Sequence, residues 1–406
     1  MTLITRQGKG SKLTIQEMDG NLEYLEKQAC GQDNTASGDY STISGGRCST
    51  ASGYFSTVSG GYCNTTPSQG STVSGGYFNA IAPSGGGSCC GLIPGGPVPA
   101  GINSNGATIG GGSFNSASGR YATVGGGNNN SAGSTTTAGD GATVGGGVSN
   151  TALGCGSTVS GGGSLFCEFN IASGRNSTIG GGSKNTASGG MSTISGGETN
   201  VASGQSSTIS GGRENTASAS YATIAGGFIN RACGERATIG GGAFNCACGI
   251  RSTVSGGYLN TAGSYGVIGG GASNNVSGYY GVIGGGQCNT IQSFAANCSA
   301  ILGGRSNQTN NCYSTIVGGN SNAATGPYSF IGGGSLNTVS GNLSAILGGA
   351  CNSVSCFKSM IVGSDITANR NCTTFVNNLS IMNIPTSSAG LPAGSVWNDG
   401  GTLKIV

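Results

Sequence analysis

The chain has 406 residues, of which 85 are glycine, 7% are charged and 6% are aromatic. A globular enzyme of this length would carry about 25% charged residues, so the composition argues against catalysis. The formal net charge is +3 and histidine is absent, which removes the commonest general base and metal ligand. We therefore expect a protein that is not an enzyme and has no catalytic, cofactor-binding or metal-binding residues. Because no basic stripe is present, nucleic-acid binding is not expected either.

Residues 1–33 precede the repeats and predict an attachment or capping segment with a short helix. Thr14 and Glu17 have the spacing of a capping box, and Met18 and Leu22 are spaced as on one helical face. The segment has neither the apolar core of a secretory signal peptide nor an apolar run that could cross a bilayer. We expect a chain that is made in a cytoplasm and is not inserted in a membrane.

A 15-residue repeat fills residues 34–375, with the consensus S-T-I-S-G-G-x-x-N-T-A-S-G. One Ile or Val marks each repeat, and these markers recur with the same period at nearly every step. The markers are Ile43, Val58, Val73, Ile109, Val124, Val144, Val159, Ile179, Ile194, Ile209, Ile224, Ile239, Val254, Ile268, Ile283, Ile301, Ile316, Ile331, Ile346 and Ile361. Such a period is typical of a β-solenoid, in which each repeat forms one coil and neighbouring coils share a continuous core.

Each repeat predicts two short strands and two corners. Side chains alternate between the faces of a strand, so the marker and the Ala that follows it in the second strand, such as Ile194 and Ala202, occupy buried columns. The Gly-Gly and Ser-Gly pairs are predicted to form the corners through positive φ. Asn recurs at a fixed position after the marker, as at Asn185 and Asn200. Coils stacked about 4.7–4.9 Å apart would let these amides hydrogen-bond from rung to rung.

The predicted core is thin, with one Ile or Val and one or two Ala in each coil. Because a coil of this kind cannot bury its apolar face alone, we expect identical chains to associate side by side as a homotrimer. About twenty coils would form a rod on the order of 100 Å long.

Four insertions interrupt the repeat, near residues 81–106, 130–141, 163–172 and 291–297. Insertions in solenoids become loops on one side, which is often the binding face. The alternative interpretation is surface variation that the fold tolerates. If the protein recognises a receptor, these loops are the first place where we expect recognition.

The sixteen cysteines have no metal-type spacing, and we interpret them as small side chains that replace Ser or Ala. Cys48 and Cys63 occupy one repeat column, and Cys233 and Cys248 occupy another. A column cross-linked by disulfides is the alternative interpretation.

Residues 376–406 predict a C-terminal capping segment. Val396, Trp397 and Leu403 flank an Asp-Gly-Gly sequence, which is typical of a β-hairpin. Three such hairpins could protect the last edge of the solenoid. A receptor-binding tip is the alternative role.

The repeat resembles the head repeat of YadA-like trimeric autotransporter adhesins over about residues 34–375. Clear copies are S-T-I-S-G-G at 192–197, N-V-A-S-G at 200–204 and N-T-A at 215–217. The resemblance implies a left-handed parallel β-roll, three chains side by side and binding to host surfaces. The period of 15 departs from the 14 usual in that family, and the coiled-coil stalk and membrane barrel have no counterpart here.

The two ends are similar to those of bacteriophage tail-fibre and structural proteins. The N-terminal similarity lies in G-S-K-L-T at 10–14 followed by Glu17, Asp19 and Asn21, and the C-terminal one in the hairpin with the single Trp. We expect a homotrimeric, all-β, left-handed parallel β-roll that serves as a fibre of a phage or other virus. It would be located on the virion or outside the cell, joined to the particle through residues 1–33, and would bind a host-surface glycan or receptor.

Three other functions stay open at the level of the sequence. The chain could be a self-assembling extracellular filament or a bacterial YadA-like adhesin. It could also be an ice-binding solenoid, because T-A-S triplets such as 186–188 and 216–218 stack hydroxyl groups. Val201 and Arg231 fall in the same column, however, which would interrupt a flat hydroxyl array.

Overall fold

A computed structural model describes residues 33–82, 104–134, 139–164, 168–292, 297–380 and 382–406. The predicted N-terminal helix lies within residues 1–32, outside the described residues. The chain divides into two compact units, residues 1–286 (unit 1) and residues 287–406 (unit 2). The described residues contain no helix and form an all-β, parallel β-solenoid of about 21 turns. This confirms the predicted all-β parallel solenoid.

Each turn supplies one strand to sheet A and one to sheet B, and nearly all these strands have two residues. In unit 1, the sheet A strands are β1 Thr35–Ala36, β3 Thr50–Ala51, β5 Thr65–Thr66, β7 Ala80–Ile81, β9 Ser116–Ala117, β11 Ser131–Ala132, β13 Thr151–Ala152, β15 Ile171–Ala172, β17 Thr186–Ala187, β19 Val201–Ala202, β21 Thr216–Ala217, β23 Arg231–Ala232, β25 Cys246–Ala247, β27 Thr261–Ala262 and β29 Asn275–Val276. The sheet B strands are β2 Thr42–Ile43, β4 Thr57–Val58, β6 Thr72–Val73, β8 Thr108–Ile109, β10 Thr123–Val124, β12 Thr143–Val144, β14 Thr158–Val159, β16 Thr178–Ile179, β18 Thr193–Ile194, β20 Thr208–Ile209, β22 Thr223–Ile224, β24 Thr238–Ile239, β26 Thr253–Val254, β28 Val267–Ile268 and β30 Val282–Ile283.

Unit 2 has the same two kinds of strand and ends in a hairpin. Its sheet A strands are β31 Thr290–Ile291, β33 Gln308–Thr309, β35 Ala323–Ala324, β37 Thr338–Val339, β39 Ser353–Val354 and β41 Thr367–Ala368. Its sheet B strands are β32 Ala300–Ile301, β34 Thr315–Ile316, β36 Phe330–Ile331, β38 Ala345–Ile346, β40 Met360–Val362 and β42 Thr374–Val376. The hairpin strands are β43 Val396–Asp399 and β44 Thr402–Ile405.

The strand register places like residues on like. Thr193 pairs with Thr208 and Ile194 with Ile209, each one repeat further along the chain. The second residue of most strands is buried, so Ile194 and Ala202 are fully inaccessible to solvent while the Thr residues lie on the outer face. The core therefore consists of stacked Ile, Val and Ala side chains between the two sheets. Full burial of one Ile contributes about 1.5–3 kcal/mol.

A ladder of buried asparagines runs beside this core. The Nδ2 group of Asn200 donates to Asn185 Oδ1 at 3.1 Å, which confirms the expected rung-to-rung bond. The same Nδ2 group also donates to the backbone carbonyl oxygens of Gly196 at 3.2 Å and Gly212 at 2.9 Å. The asparagine thus satisfies polar backbone groups at a corner that a two-residue strand leaves unpaired.

The two corners use glycine for different reasons. In the Gly-Gly corner, Gly197 has a φ of +94°, as predicted. In the Ser-Gly corner, the prediction of positive φ is wrong for Gly189, whose φ is not positive. A Cβ on Gly189 would instead lie 2.0 Å from the carbonyl oxygen of Gly204 in the next turn. The positive φ of this corner, 58°, belongs to Met191.

The one disulfide of the described residues joins Cys246 and Cys248. Alternate residues along a strand point to the same face, and the two Cα atoms are 5.5 Å apart, within the range for a disulfide. Cys48 and Cys233 do not take part in a disulfide, and Cys248 pairs with Cys246 and not with Cys233 of its own column. The alternative of disulfide-linked columns is therefore wrong for these residues.

The C-terminal hairpin pairs Val396 with Ile405 and Asp399 with Thr402 in antiparallel register. Its two-residue turn is Gly400-Gly401, with φ values of +59° and +98°. Positive φ at both central residues is the requirement of a type I′ turn, which explains why the Asp-Gly-Gly sequence forms a hairpin here.

Candidate functional surface

The described strands show where each insertion leaves the solenoid. In unit 1, the insertions near 81–106 and 130–141 lie between a sheet A strand and the following sheet B strand, whereas the insertion near 163–172 lies between β14 and β15, at the opposite corner. The insertion near 291–297 of unit 2 again follows a sheet A strand. The insertions of unit 1 therefore do not all leave from one side.

The ladders continue across the insertions. Thr72 pairs directly with Thr108, and Thr158 pairs directly with Thr178, although an insertion separates each pair in the sequence. Residues 83–103, 135–138, 165–167 and 293–296 lie outside the described residues. The flanking pairs show that insertions are accommodated with no change in strand register.

Exposed aromatic side chains gather at the corners of unit 1. The first cluster consists of Tyr40, Tyr54 and Phe55 at the Ser-Gly corner, where the rings of Tyr40 and Phe55 stack with centroids 4.9 Å apart. Tyr40 is 72% exposed and Phe55 is 52% exposed. Both have positive φ, and they occupy the same repeat position as Met191. Because adjacent turns are in register, rings at this position stack directly above one another.

The second cluster lies at the Gly-Gly corner and consists of Tyr62, Tyr77, Phe78 and Phe114. The ring centroids of Tyr62 and Tyr77 are 5.1 Å apart, and those of Phe78 and Phe114 are 5.4 Å apart and stacked. Sequence reasoning missed both clusters. The clusters could have been predicted from the Tyr and Phe residues at corner positions, where the residue type varies between repeats.

Charged groups are sparse and lie at the surface. Arg120 donates to Asp140 on the next turn through Nε at 3.0 Å and Nη2 at 2.5 Å, and this hydrogen bond is the main cause that raises the pKa of Arg120. The pKa of Tyr62 is raised, first by charge interaction with Cys63 and then with Cys48. The side chains of Arg120 and Tyr62 are both open to solvent, so these interactions contribute little to the stability of the fold.

The part of the chain that the structure describes holds no group of three or more His, Cys, Asp or Glu side chains placed to bind a metal ion. Within the same ranges, a helix with the length and apolarity of a membrane span is not found. Ion pairs such as Arg120–Asp140 and Lys184–Glu168 join charges of opposite sign on exposed side chains.

The T-A-S face considered for ice binding is the outer face of sheet A in unit 1. Thr186 pairs with Val201, and Thr216 pairs with Arg231. The two interrupting side chains thus stand in the same column as the Thr hydroxyl groups. The outer face of sheet A is not a regular hydroxyl array.

The chain was also compared with known proteins. No family model matches it, and no curated protein matches its sequence.

Proposed function

We propose that the chain is a non-enzymatic structural fibre of a phage or other virus, built as a homotrimer of left-handed rolls with 15-residue coils. The observation that carries this proposal is the parallel, in-register stacking of successive turns within each of the two units. Each turn is fastened to its neighbours by backbone hydrogen bonds and by the Asn ladder, which makes a stiff element suited to spanning a distance. The sequence similarity of both ends to phage fibre proteins supports the viral setting.

Trimer formation is supported by apolar side chains that a single chain leaves in water. In the C-terminal segment, Leu379 is 71% exposed, Met382 is 83% exposed and Ile405 is 74% exposed. Exposed apolar surface of this kind is typical of protein–protein contacts. The segment around the hairpin would then cap three chains together.

The fibre would attach to the particle through residues 1–33 and meet the host through its exposed corners and insertions. The stacked rings of Tyr40 and Phe55 offer flat apolar surfaces next to solvent. The face of a sugar ring is apolar and can pack on such a ring, so a host-surface glycan is the proposed ligand.

Electron microscopy of the purified protein and of particles from its source tests this function. We expect short rods of uniform length, and the same rods on the particles. Removal of residues 1–33 should leave the rods intact and abolish their presence on particles. Rods that never occur on particles, or a compact monomeric protein, would contradict the viral fibre.

The glycan contact is tested by replacing both rings, Tyr40→Ser with Phe55→Ser, and measuring attachment to host cells. We expect attachment to fall at least tenfold. The matched control is Met191→Ser, because Met191 has the same repeat position, a φ of 58° and 52% exposure but no ring. Equal attachment of the two variants would show that the aromatic cluster is not part of the proposed binding site.

A self-assembling filament is the second candidate function. It is favoured by β44, in which all four residues, Thr402–Ile405, are exposed. An exposed strand edge can pair with another chain. Filaments that grow without a fixed length in the same micrographs would favour this candidate over the virion fibre.

A further inference from the structure

The outer face of sheet B in unit 2 carries a row of exposed apolar side chains. The row consists of Leu302, Val317, Leu347, Val362 and Val376, and we call it the apolar stripe. The exposed fractions of these residues are 55%, 41%, 49%, 41% and 38%, in that order. Each follows a residue that fills the core position of its turn, such as Ile301 before Leu302.

The stripe is regular because its members belong to the hydrogen-bonded ladder. The backbone N–H of Leu302 donates to the carbonyl of Ile316 at 3.0 Å, and that of Val317 donates to the carbonyl of Ile331 at 2.9 Å. Val362 pairs directly with Val376. Side chains on successive strands of a sheet are about 4.7–4.9 Å apart, so the stripe has the same spacing as the turns themselves. Gly332 holds the one position of this column that has no side chain.

The column beside the stripe is also uncharged. It contains Ala300, Thr315, Phe330, Ala345 and Met360, all half-buried, and Thr374, which is exposed. Only Thr315 and Thr374 add polar groups to this part of the face.

The outer face of sheet A in the same turns is different. It carries polar groups, including Gln308, Asn310, Thr338 and Ser353. The side chains of Gln308 and Asn310 are hydrogen-bonded to each other at 2.7 Å. Of the two sheet faces of unit 2, that of sheet B is therefore the apolar one.

In unit 1, the outer face of sheet B is uncharged as well and has small side chains. The first strand position is Thr in thirteen successive sheet B strands, from β2 to β26. The position after each of these strands is Ser, Gly or Ala. On the outer face of sheet A the corresponding position varies and includes Ile171, Arg231 and Cys246. Two sheets can approach closely only where long and charged side chains are missing, and β2 to β26 of sheet B in unit 1 meet this condition.

We propose that the outer face of sheet B lines the axis of the homotrimer, where it meets the same face of the two other copies, with the apolar stripe of unit 2 turned towards that axis. This inference rests on the proposed homotrimeric fibre and names its subunit interface. A second copy is the partner that fits, because its turns have the same spacing, so every rung of the stripe meets a rung of the partner. An uncharged face can also meet itself without like-charge repulsion, which any symmetric contact of identical surfaces must avoid.

The interface is tested by placing charge on the stripe with the double substitution Leu302→Lys and Leu347→Lys. The matched control, Ala323→Lys with Ser353→Lys, adds the same charge to half-buried positions on the outer face of sheet A. Molar mass is measured by light scattering after size-exclusion chromatography, and circular dichroism reports whether each variant is folded. We expect a trimeric wild type, a trimeric control and a stripe variant whose mass falls threefold to that of one folded chain.

The outcomes separate the interface from the proposed function. A monomeric wild type would overturn both the trimer and this interface. A stripe variant that stays trimeric would overturn the interface alone, and the trimer would stand. If the stripe variant does not fold, the photo-crosslinking amino acid p-benzoylphenylalanine at Val317 and, separately, at Ala323 decides the question. Cross-linked chains from position 317 and not from position 323 would support the interface, and the reverse would overturn it.

Discussion

At the scale of single residues, the asparagine ladder shows how a coil with so few apolar groups is held in place. Asn200 uses both ends of its amide: Nδ2 donates to Asn185 and to two glycine carbonyls, while Oδ1 accepts from the backbone N–H of Asn215 at 3.0 Å. Asn200 is fully buried, so each of these bonds is made away from competing water. A buried polar group that loses its partner costs about 1–3 kcal/mol.

The substitution Asn200→Ala should therefore destabilise the fold by roughly 3 kcal/mol, since it leaves several backbone groups without a partner. The urea midpoint of the β-sheet circular dichroism signal measures the effect. The control is Gln205→Ala, an exposed side chain one corner away in the same turn, which should leave the midpoint unchanged. Equal midpoints for the two variants would contradict the role of the ladder.

Two glycines whose φ lies outside the left-handed region of +20° to +160° give a second residue-scale prediction. Gly189→Ala places a Cβ 2.0 Å from the Gly204 carbonyl oxygen, whereas Gly196→Ala meets no atom within 4 Å. We expect Gly189→Ala to lower the free energy of unfolding by about 1–3 kcal/mol or more, as overpacking does. Gly196→Ala should change the free energy of unfolding by less than about 1 kcal/mol. Thermal unfolding of the two proteins side by side measures this difference, and similar losses would show that close approach of turns is not the reason for Gly189.

At the scale of elements, the turn is the unit that the structure preserves. Ala82 and Ser104 flank the residues 83–103, and Ile81 and Ala107 occupy the core positions on the two sides. Joining Ala82 to Ser104 would restore the ordinary repeat period between the markers Val73 and Ile109. The insertion is thus an addition between two complete halves of a turn.

Excision of residues 83–103 should change the free energy of unfolding by less than about 0.5 kcal/mol, because the strand pairs on both sides are retained. The control is excision of residues 186–206, a segment of the same length, which removes strands and should destabilise the fold strongly. Urea unfolding measures stability, and attachment to host cells is measured on the same proteins. A folded protein that has lost attachment would place host recognition in the insertion, and an unfolded one would show that the insertion is structural.

At the scale of the whole molecule, the thin core and the exposed apolar side chains are the observations on which the proposed homotrimer rests. If folding and trimer assembly are coupled, the thermal midpoint must rise with protein concentration, because dilution favours separated chains. We expect a rise of several degrees over a hundredfold range of concentration, measured by circular dichroism. A midpoint independent of concentration would indicate that a single chain is stable alone.

The sequence alone was sufficient for much of this architecture. The period of the Ile and Val residues predicted the solenoid, and the phase of Asn200 predicted a ladder that the structure confirms. These predictions succeed because a repeat in register places identical residues on neighbouring rungs. The Asp-Gly-Gly sequence likewise indicated the hairpin through local turn chemistry.

Other features were decided only by the tertiary structure. The need for Gly189 comes from the carbonyl of Gly204, and the pairing of Cys246 with Cys248 comes from the face that they share. The aromatic clusters and the apolar stripe are likewise properties of a surface, formed by side chains from successive repeats. The sequence determined the repeating fold, because periodicity is a local property of the chain. Only the stacking of the turns decided which glycines are indispensable and which faces are free to bind, since these depend on atoms from neighbouring turns.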